Sequence, residues 1–182
     1  MDLQPEEERL LAYAMDLGTE VKTGDKQTPG PKMTVRMLKD EVQVQYTLPT
    51  SANGLGSSEL AVLQNAVTNG VRIDLVNPMV FDYYDRVTTD MGTAAKSASN
   101  GLHAQLHTLL PAKTDPQLWA MQGATMMNGL DDYPRRTEVT DIPAAQTLLN
   151  FAQQKGMSFL SIWAIQRDNS SSGIQQNTWD FS

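Results

Sequence analysis

The sequence predicts an α/β fold in which parallel strands are flanked by helices. The first observation is order, because strand-like and helix-like segments alternate from residue 42 onward. The second is composition, since the strand-like segments are nearly continuous apolar runs, as in strands buried on both faces. The third is length: 182 residues are enough for one domain with a real hydrophobic core.

Four segments are predicted to be strands because they combine apolar residues with turn signals at their ends. They are 42–49, 75–81, 118–129 and 157–168. The first alternates apolar and polar residues up to Pro49, and the third ends in the turn dipeptide Asn128-Gly129.

Helical patterns occupy the segments 57–70, 91–111 and 141–156. Ser58 is the predicted N-cap of the first helix and Asp141 that of the third, because short polar side chains cap the free amides of a first turn. Gly156 is predicted to end the third helix. Asn100-Gly101 is a candidate interruption of the second.

The first 41 residues do not fit this alternation. Residues 4–17 are compatible with a short helix, and residues 18–33 are rich in Gly, Pro and Lys, which is typical of a linker. We therefore expect an N-terminal helix and linker over 1–41 and a folded domain over 42–182.

Charge and composition exclude several functional classes. The formal charge is −7 and there is no block of Lys and Arg, which argues against binding to nucleic acid or to an anionic membrane. The chain contains no cysteine, so disulfide frameworks and zinc-thiolate sites are excluded. The N-terminus is acidic where a signal peptide is basic and then apolar, and no apolar run is long enough to span a bilayer.

Functional-looking side chains stand where three predicted strands end. Asp82 and Tyr83 follow the second strand, Asn128 ends the third, and Trp163 and Gln166 lie in the fourth. The carboxyl ends of parallel strands meet at one edge of the sheet, so these residues are expected to share a rim. An aromatic face packs on a sugar ring and a carboxylate accepts hydrogen bonds from its hydroxyl or amide groups, so the set favours a sugar.

Plainer interpretations stand beside these. Asp82 is also compatible with a capping role in the next turn, and Trp163 with a core position. His103 and His107 have the spacing of a metal-ligand pair but no third ligand, so a solvent-exposed helix face and no metal site are expected. Arg167-Asp168 is compatible with a structural ion pair.

Four blocks, in this order, resemble bacterial-type chitinases of glycoside hydrolase family eighteen. They are "VQVQYTLPTSANGL", "IDLVNPMVFDYYD", "LWAMQGATMMNGLDD" and "FLSIWAIQRDN". The resemblance covers about residues 42–182. It implies a (β/α)8 barrel of which this chain carries about the last four βα units, so the expected fold is a partial TIM barrel. The open edges of such a half-barrel predict self-association.

The resemblance also implies the chemistry. Asp82 and Tyr83 match the residues that hold the N-acetyl group of chitin or a chito-oligosaccharide, which itself attacks the anomeric carbon. Trp163 matches the aromatic floor under the reacting sugar, and Met79 a buried methionine of the strand. Phe81, Asn128 and Gln166 complete the candidate sugar-binding set. No cofactor is expected. The family is commonly secreted, but the N-terminus of this chain does not resemble a signal peptide, so the sequence does not decide the cellular compartment.

The sequence departs from the family at the general acid. The family's acid is a Glu that closes an Asp-x-x-Asp-x-Asp-x-Glu run, and the 182 residues contain no such run. Glu20, in "MDLGTE", is the nearest and a weak candidate. Met126, Asn128 and Tyr84 replace the usual Pro, Ile and Gly. Three functions follow as hypotheses: a chitinase-like glycoside hydrolase domain, a lectin-like binder of chito-oligosaccharides without catalysis, and an inactive fragment.

Overall fold

The computed structural model describes residues 43–132 and 137–167. The chain divides into two units, Met1–Gln43 and Val44–Ser182. The predicted helix and linker of the first unit lie outside the described residues.

Strands and helices alternate through the described part of the second unit. In chain order they are β1 (Gln45–Pro49), α1 (Ser57–Thr68), β2 (Leu75–Met79), α2 (Met91–Leu109), α3 (Asp115–Ala120), β3 (Gly123–Met127), β4 (Gly129–Leu130), β5 (Val139–Thr140), α4 (Ile142–Lys155), β6 (Phe159–Trp163) and a 3-10 helix (Ile165–Arg167). The predicted α/β class with parallel strands and flanking helices is confirmed. Within the described ranges, no helix is long and apolar enough to cross a membrane.

The main sheet has four strands in the order β1-β2-β3-β6, and every neighbouring pair is parallel. One polar side chain from each strand joins a hydrogen-bonded row on the same face. Asn77 donates to the Thr125 hydroxyl at 2.7 Å and to the Thr47 hydroxyl at 3.3 Å. The Thr125 and Ser161 hydroxyls are 2.7 Å apart. This polar row links the strands side by side, so their carboxyl ends are held in register.

Apolar side chains of the helices cover the other face of the sheet. Tyr46 and Leu48 of β1 pack against a cluster that includes the fully buried Leu63 and Leu102 of α1 and α2. A second cluster joins α2 and α4 to β3, with Leu148 fully buried. Burying a leucine side chain contributes about 1.5–3 kcal/mol, so these contacts hold the helices on the sheet.

Helix α2 runs through Asn100-Gly101, so the candidate interruption is wrong. A Cβ atom at Gly101 would lie 2.0 Å from the backbone oxygen of Asn53. Glycine is therefore needed here for close approach of the loop after β1, and the 19-residue helix tolerates it.

All four predicted strands are shorter in the structure, and the third and fourth give way to helix at one end. Residues 118–120, predicted to begin a strand, are the last residues of helix α3. A capping box of Thr114 and Gln117 and a proline in the first turn, Pro116, start this helix. Strand β3 begins only at Gly123. The last strand ends at Trp163, and a 3-10 helix follows it.

The predicted helix caps are right for α4 and wrong for α1. The Asp141 carboxylate accepts a hydrogen bond from the Ala144 amide at 2.8 Å, and Gly156 ends the helix with a φ of 76°. The N-cap of helix α1 is Gly56, two residues earlier than expected, and it makes no side-chain hydrogen bond. Ser58 instead lies inside the helix and donates to Glu59.

Candidate active site

The chain makes a strained turn directly after strand β2. Asp82, Tyr84 and Arg86 have φ angles of 50°, 53° and 67°. Residues other than glycine rarely adopt positive φ, at a cost of about 1–3 kcal/mol each. Such strain persists only where surrounding contacts impose it, and it clusters at functional sites.

Asp82 lies partly buried at the start of this turn. Its carboxylate accepts a hydrogen bond from the Asp132 amide at 3.1 Å and another from the Tyr84 hydroxyl. Burial raises the pKa of Asp82, the Asp132 amide opposes that rise, and the charges of Asp132 and Glu138 add to it. The site therefore presents a carboxylate that is costly to keep ionised and that gains from a new hydrogen-bond donor.

Tyr83 is buried, with 9% of its surface exposed, whereas the neighbouring Tyr84 is 55% exposed. The Tyr83 hydroxyl has no hydrogen-bond partner among the described residues. Burial raises the pKa of Tyr83, and the negative charges of Glu138 and Asp85 raise it further. The phenol is thus a neutral donor at any physiological pH.

Glu138 is a residue of this site that the sequence did not reveal. It is 1% exposed, and its two carboxylate oxygens accept from consecutive backbone amides, Tyr83 at 2.9 Å and Tyr84 at 3.2 Å. A single glutamate in a polar segment belongs to no motif. Its partners lie 55 and 54 residues away along the chain, so no local pattern could have found it.

A short hairpin brings Glu138 and Asp132 to the turn. Strands β4 and β5 pair antiparallel, and the Asp131 amide donates to the Glu138 carbonyl at 3.1 Å. The hairpin therefore contacts the turn twice, through the Asp132 backbone amide and the Glu138 carboxylate.

Arg167 holds this hairpin from the end of the sheet. It is 1% exposed and donates to the Asn128 carbonyl at 3.2 Å and to the Leu130 carbonyl. A guanidinium nitrogen also lies 3.6 Å from the Asp132 carboxylate. Burial lowers the pKa of Arg167, and the carboxylates of the rim oppose that shift. The expected pairing partner, Asp168, lies outside the described residues.

Four of the predicted sugar-binding residues lie at or just after the ends of β2, β3 and β6. Met79 ends β2 and is partly buried, and Phe81 is 9% exposed. Both polar atoms of the Asn128 side chain are buried without a partner in the part of the chain that the structure describes. Trp163 ends β6 in register with Met127 and is 51% exposed, so it is not a core residue.

Two other predicted residues cannot be placed in the same detail. Gln166 lies in the 3-10 helix, but its side chain is outside the described part of the structure. Glu20 lies outside the described residues altogether.

Comparisons with known proteins identify relatives of this chain in sequence and in fold. No family model matches the chain. Two curated relatives are each 33% identical over 136 residues, or 70% of this chain: "Probable bifunctional chitinase/lysozyme" of Escherichia coli (strain K12) and "Endochitinase 11" of Metarhizium anisopliae. The crystal structure of the catalytic domain of a hyperthermophilic chitinase from Pyrococcus furiosus superposes with a TM-score of 0.72 and 27% identity over 82% of this chain. The chain is a chitinase homologue of the family-eighteen type.

The chitinase homologue corresponds to part of a catalytic domain. It spans 15% and 26% of the two curated relatives and 48% of the Pyrococcus furiosus domain. Catalytic-site mutants of active domain 2 of a thermostable chitinase from Pyrococcus furiosus, complexed with chito-oligosaccharides, superpose with a TM-score of 0.73 and 26% identity.

Charge at the rim of the chitinase homologue is predominantly negative. Four carboxylates and one guanidinium gather among its described residues: Asp82, Asp131, Asp132, Glu138 and Arg167. Such a site can accept hydrogen bonds from amide or hydroxyl groups and can stabilise a positive charge that develops beside Asp82.

The two histidines of the chitinase homologue play no part in this site. His103 stacks on Trp119 with ring centroids 4.1 Å apart, and its ring nitrogen is 3.4 Å from the Asp115 carboxylate. The expected solvent-exposed face is therefore wrong for His103, whose side chain is only 16% exposed, and right for His107. Within the described ranges, no group of three or more potential ligands could hold a metal ion.

Proposed function

We propose that this chain is the C-terminal half of a (β/α)8 barrel, comprising about its last four βα units. We further propose that it forms the acetamido-binding side of a site for β-1,4-linked N-acetylglucosamine polymers. The parallel order β1-β2-β3-β6 and the coverage of 48% of a chitinase catalytic domain support the first part. The strand-end turn at Asp82 supports the second.

The position of Asp82 carries the functional proposal. In substrate-assisted hydrolysis the acetamido oxygen of the substrate attacks its own anomeric carbon, the glycosidic bond breaks, and a cationic oxazolinium ring forms. Asp82 accepts a hydrogen bond from the acetamido N–H and stabilises the positive charge of the ring. Partial burial strengthens this interaction, because less water screens the charges.

The neighbouring side chains complete the proposed sugar site. Exposed Trp163, in register with Met127 at the end of β6, offers a flat apolar face for a pyranose ring. Met79 at the end of β2, Phe81 just after it, and the Asn128 amide, which has no hydrogen-bond partner among the described residues, belong to the same proposed site. Tyr83 donates its hydroxyl to the acetamido oxygen. Because that hydroxyl is buried in the free chain, this role requires it to become accessible when the sugar binds.

A second candidate function applies if no general acid acts together with these 182 residues. Departure of the leaving group needs a proton donor, which contributes typically 10²–10⁴-fold to the rate. The 182 residues contain no Asp-x-x-Asp-x-Asp-x-Glu run, and Glu20 is the nearest candidate. The second candidate is therefore a lectin-like protein that binds chito-oligosaccharides without cleaving them, and the third is an inactive fragment.

Calorimetric titration of the purified 182-residue chain with chitotriose tests the proposal. We expect binding, and we expect Asp82→Ala to weaken it by about tenfold or more, as for loss of a charged hydrogen bond. Asp115→Ala is the matched control, because that carboxylate lies in α3 and contacts His103 instead of the rim. A folded parent chain that does not bind chitotriose would refute the proposed function. Binding without hydrolysis of a fluorogenic chitobioside selects the lectin-like alternative, and hydrolysis selects the enzyme.

A further inference from the structure

The orientation of Asp82 depends on a backbone turn that is unfavourable by itself. Asp82 and Tyr84 have φ angles of 50° and 53°, and neither is a glycine. Strand pairing ends just before them, since the Val80 amide still donates to the Thr125 carbonyl at 2.9 Å. Something other than the sheet must therefore hold the turn.

Glu138 makes the contacts that hold it. Its two oxygens accept from the Tyr83 and Tyr84 amides at 2.9 and 3.2 Å. The carboxylate is almost fully buried, so each bond is shielded from water. A carboxylate offers two acceptors and no donor, which matches two adjacent amides, whereas glutamine offers one acceptor and one donor group.

We propose that Glu138 is a positioning residue for Asp82, which fixes the turn through the Tyr83 and Tyr84 amides and so aims the Asp82 carboxylate at the substrate's acetamido group. The inference rests on the proposed function. Glu138 itself contacts the two backbone amides and therefore acts on Asp82 through the turn.

Glu138 and its surroundings also set the charge on Asp82. Besides Glu138, the groups that act on Asp82 are Asp132 from the hairpin, Arg167 from the 3-10 helix and Tyr84 from its own turn. Asp131 of the hairpin acts on Tyr84 and Arg167. The negative charge of Glu138 raises the pKa of Asp82. Removing that charge therefore lowers the pKa of Asp82, while the other four groups stay in place.

The decisive experiment compares Glu138→Gln with Glu138→Asp. Glu138→Gln keeps the shape and removes the charge and one acceptor, so a donor faces a backbone amide. Glu138→Asp keeps the charge and shortens the reach. The matched control is Glu59→Gln, because Glu59 lies in α1 and accepts from Ser58.

Amide hydrogen exchange is the readout that needs no sugar. We expect exchange at Tyr83 or Tyr84 to accelerate about tenfold in both Glu138 variants, relative to the Val80 amide, because a buried hydrogen bond is lost. The pKa of Asp82, followed by NMR, is expected to fall in Glu138→Gln and to stay near the parent value in Glu138→Asp.

Chitotriose binding links this turn to function. We expect Kd to rise about tenfold in both Glu138 variants and not in Glu59→Gln. Weaker binding with parent-like exchange at both amides would overturn the positioning role and leave only an effect of charge.

If Glu138→Gln does not fold, the test is made with Glu138→Asp alone. Failure of both variants to fold would make Glu138 a folding residue and overturn the inference. If the folded parent does not bind chitotriose, the proposed function fails, and the exchange and pKa data still decide whether Glu138 orders the turn.

Discussion

The ionised carboxylate of Asp82 serves the proposed function but destabilises the folded state, because it is partly buried. Burial raises its pKa, so the folded state binds the proton more tightly than the unfolded state. Stability then falls as pH rises from the unfolded pKa, about 3.9, through the raised folded pKa. The cost is fully present at neutral pH, where the carboxylate is ionised and partly buried.

Asp82→Asn is therefore expected to raise the melting temperature at pH 7 while it weakens chitotriose binding. In the parent chain the backbone amide of Asp132 donates to the Asp82 carboxylate at 3.1 Å. The side chain of the introduced asparagine keeps an oxygen that can accept this hydrogen bond. The gain should shrink as the pH is lowered through the folded pKa. Thermal unfolding followed by circular dichroism between pH 3 and 8 measures it, and a variant less stable than the parent at pH 7 would contradict the argument.

Trp163 is expected to contribute to binding with little effect on folding, because it is 51% exposed at the last position of β6. Trp163→Ala should raise Kd for chitotriose by about tenfold, or ~1.4 kcal/mol, and Trp163→Phe by less, since an aromatic face remains. Calorimetry is the suitable measurement because the substitution removes a fluorophore. Equal affinities in parent and Trp163→Ala would remove Trp163 from the site.

At the scale of elements, helix α2 needs a glycine at position 101 where the loop after β1 passes close to it. Replacing a glycine inside a helix with alanine normally gains about 1 kcal/mol. At Gly101 the added Cβ would lie 2.0 Å from the Asn53 oxygen, so the loop or the helix must move. We expect Gly101→Ala to destabilise the fold by about 1–3 kcal/mol.

The melting temperature of Gly101→Ala shows whether the substitution stabilises or destabilises the fold. Ala104→Gly, on the exposed face of the same helix, is the control. That control measures helix propensity without a steric clash. A melting temperature above the parent's would show that the loop moves away at no cost.

The hairpin of β4 and β5 is an element that hydrophobic patterns in the sequence could not predict. The hairpin of β4 and β5 has only two residues in each strand, too few for an alternating pattern. Yet it supplies both the Asp132 amide and the Glu138 carboxylate to the turn.

At the scale of the whole molecule, the 182-residue chain is expected not to hydrolyse chitin at neutral pH. Its sequence lacks the acid-bearing run of the family, and a positioned acid contributes typically 10²–10⁴-fold. Assay with a fluorogenic chitobioside measures this, with active chitinase as the positive control. Hydrolysis that Glu20→Gln abolishes would instead identify "MDLGTE" as a degenerate catalytic motif.

The sheet as described has β1 and β6 as its outer strands. Strand edges can pair with other chains, so self-association through them stays a prediction for the purified chain. Sedimentation at several concentrations distinguishes a monomer from such assemblies.

The sequence by itself determined the α/β class, the alternation of strands and helices, the Asp141 cap and the Gly156 stop. Each of these depends on neighbours within a few residues, through apolar periodicity, a capping side chain or a permissive glycine. The sequence also predicted that Asp82, Tyr83 and Trp163 lie near the ends of strands. Since parallel strands present their carboxyl ends at one edge of the sheet, this placed the three residues at the same edge.

Only the tertiary structure decided which groups hold those residues. Glu138 reaches the amides of Tyr83 and Tyr84 across more than 50 residues of chain, and Arg167 binds carbonyls more than 30 residues away. Gly101 continues a helix because a distant loop passes close to it. Such contacts leave no periodic mark in the sequence, because they are set by where whole elements meet in space and not by the spacing of residues along one of them.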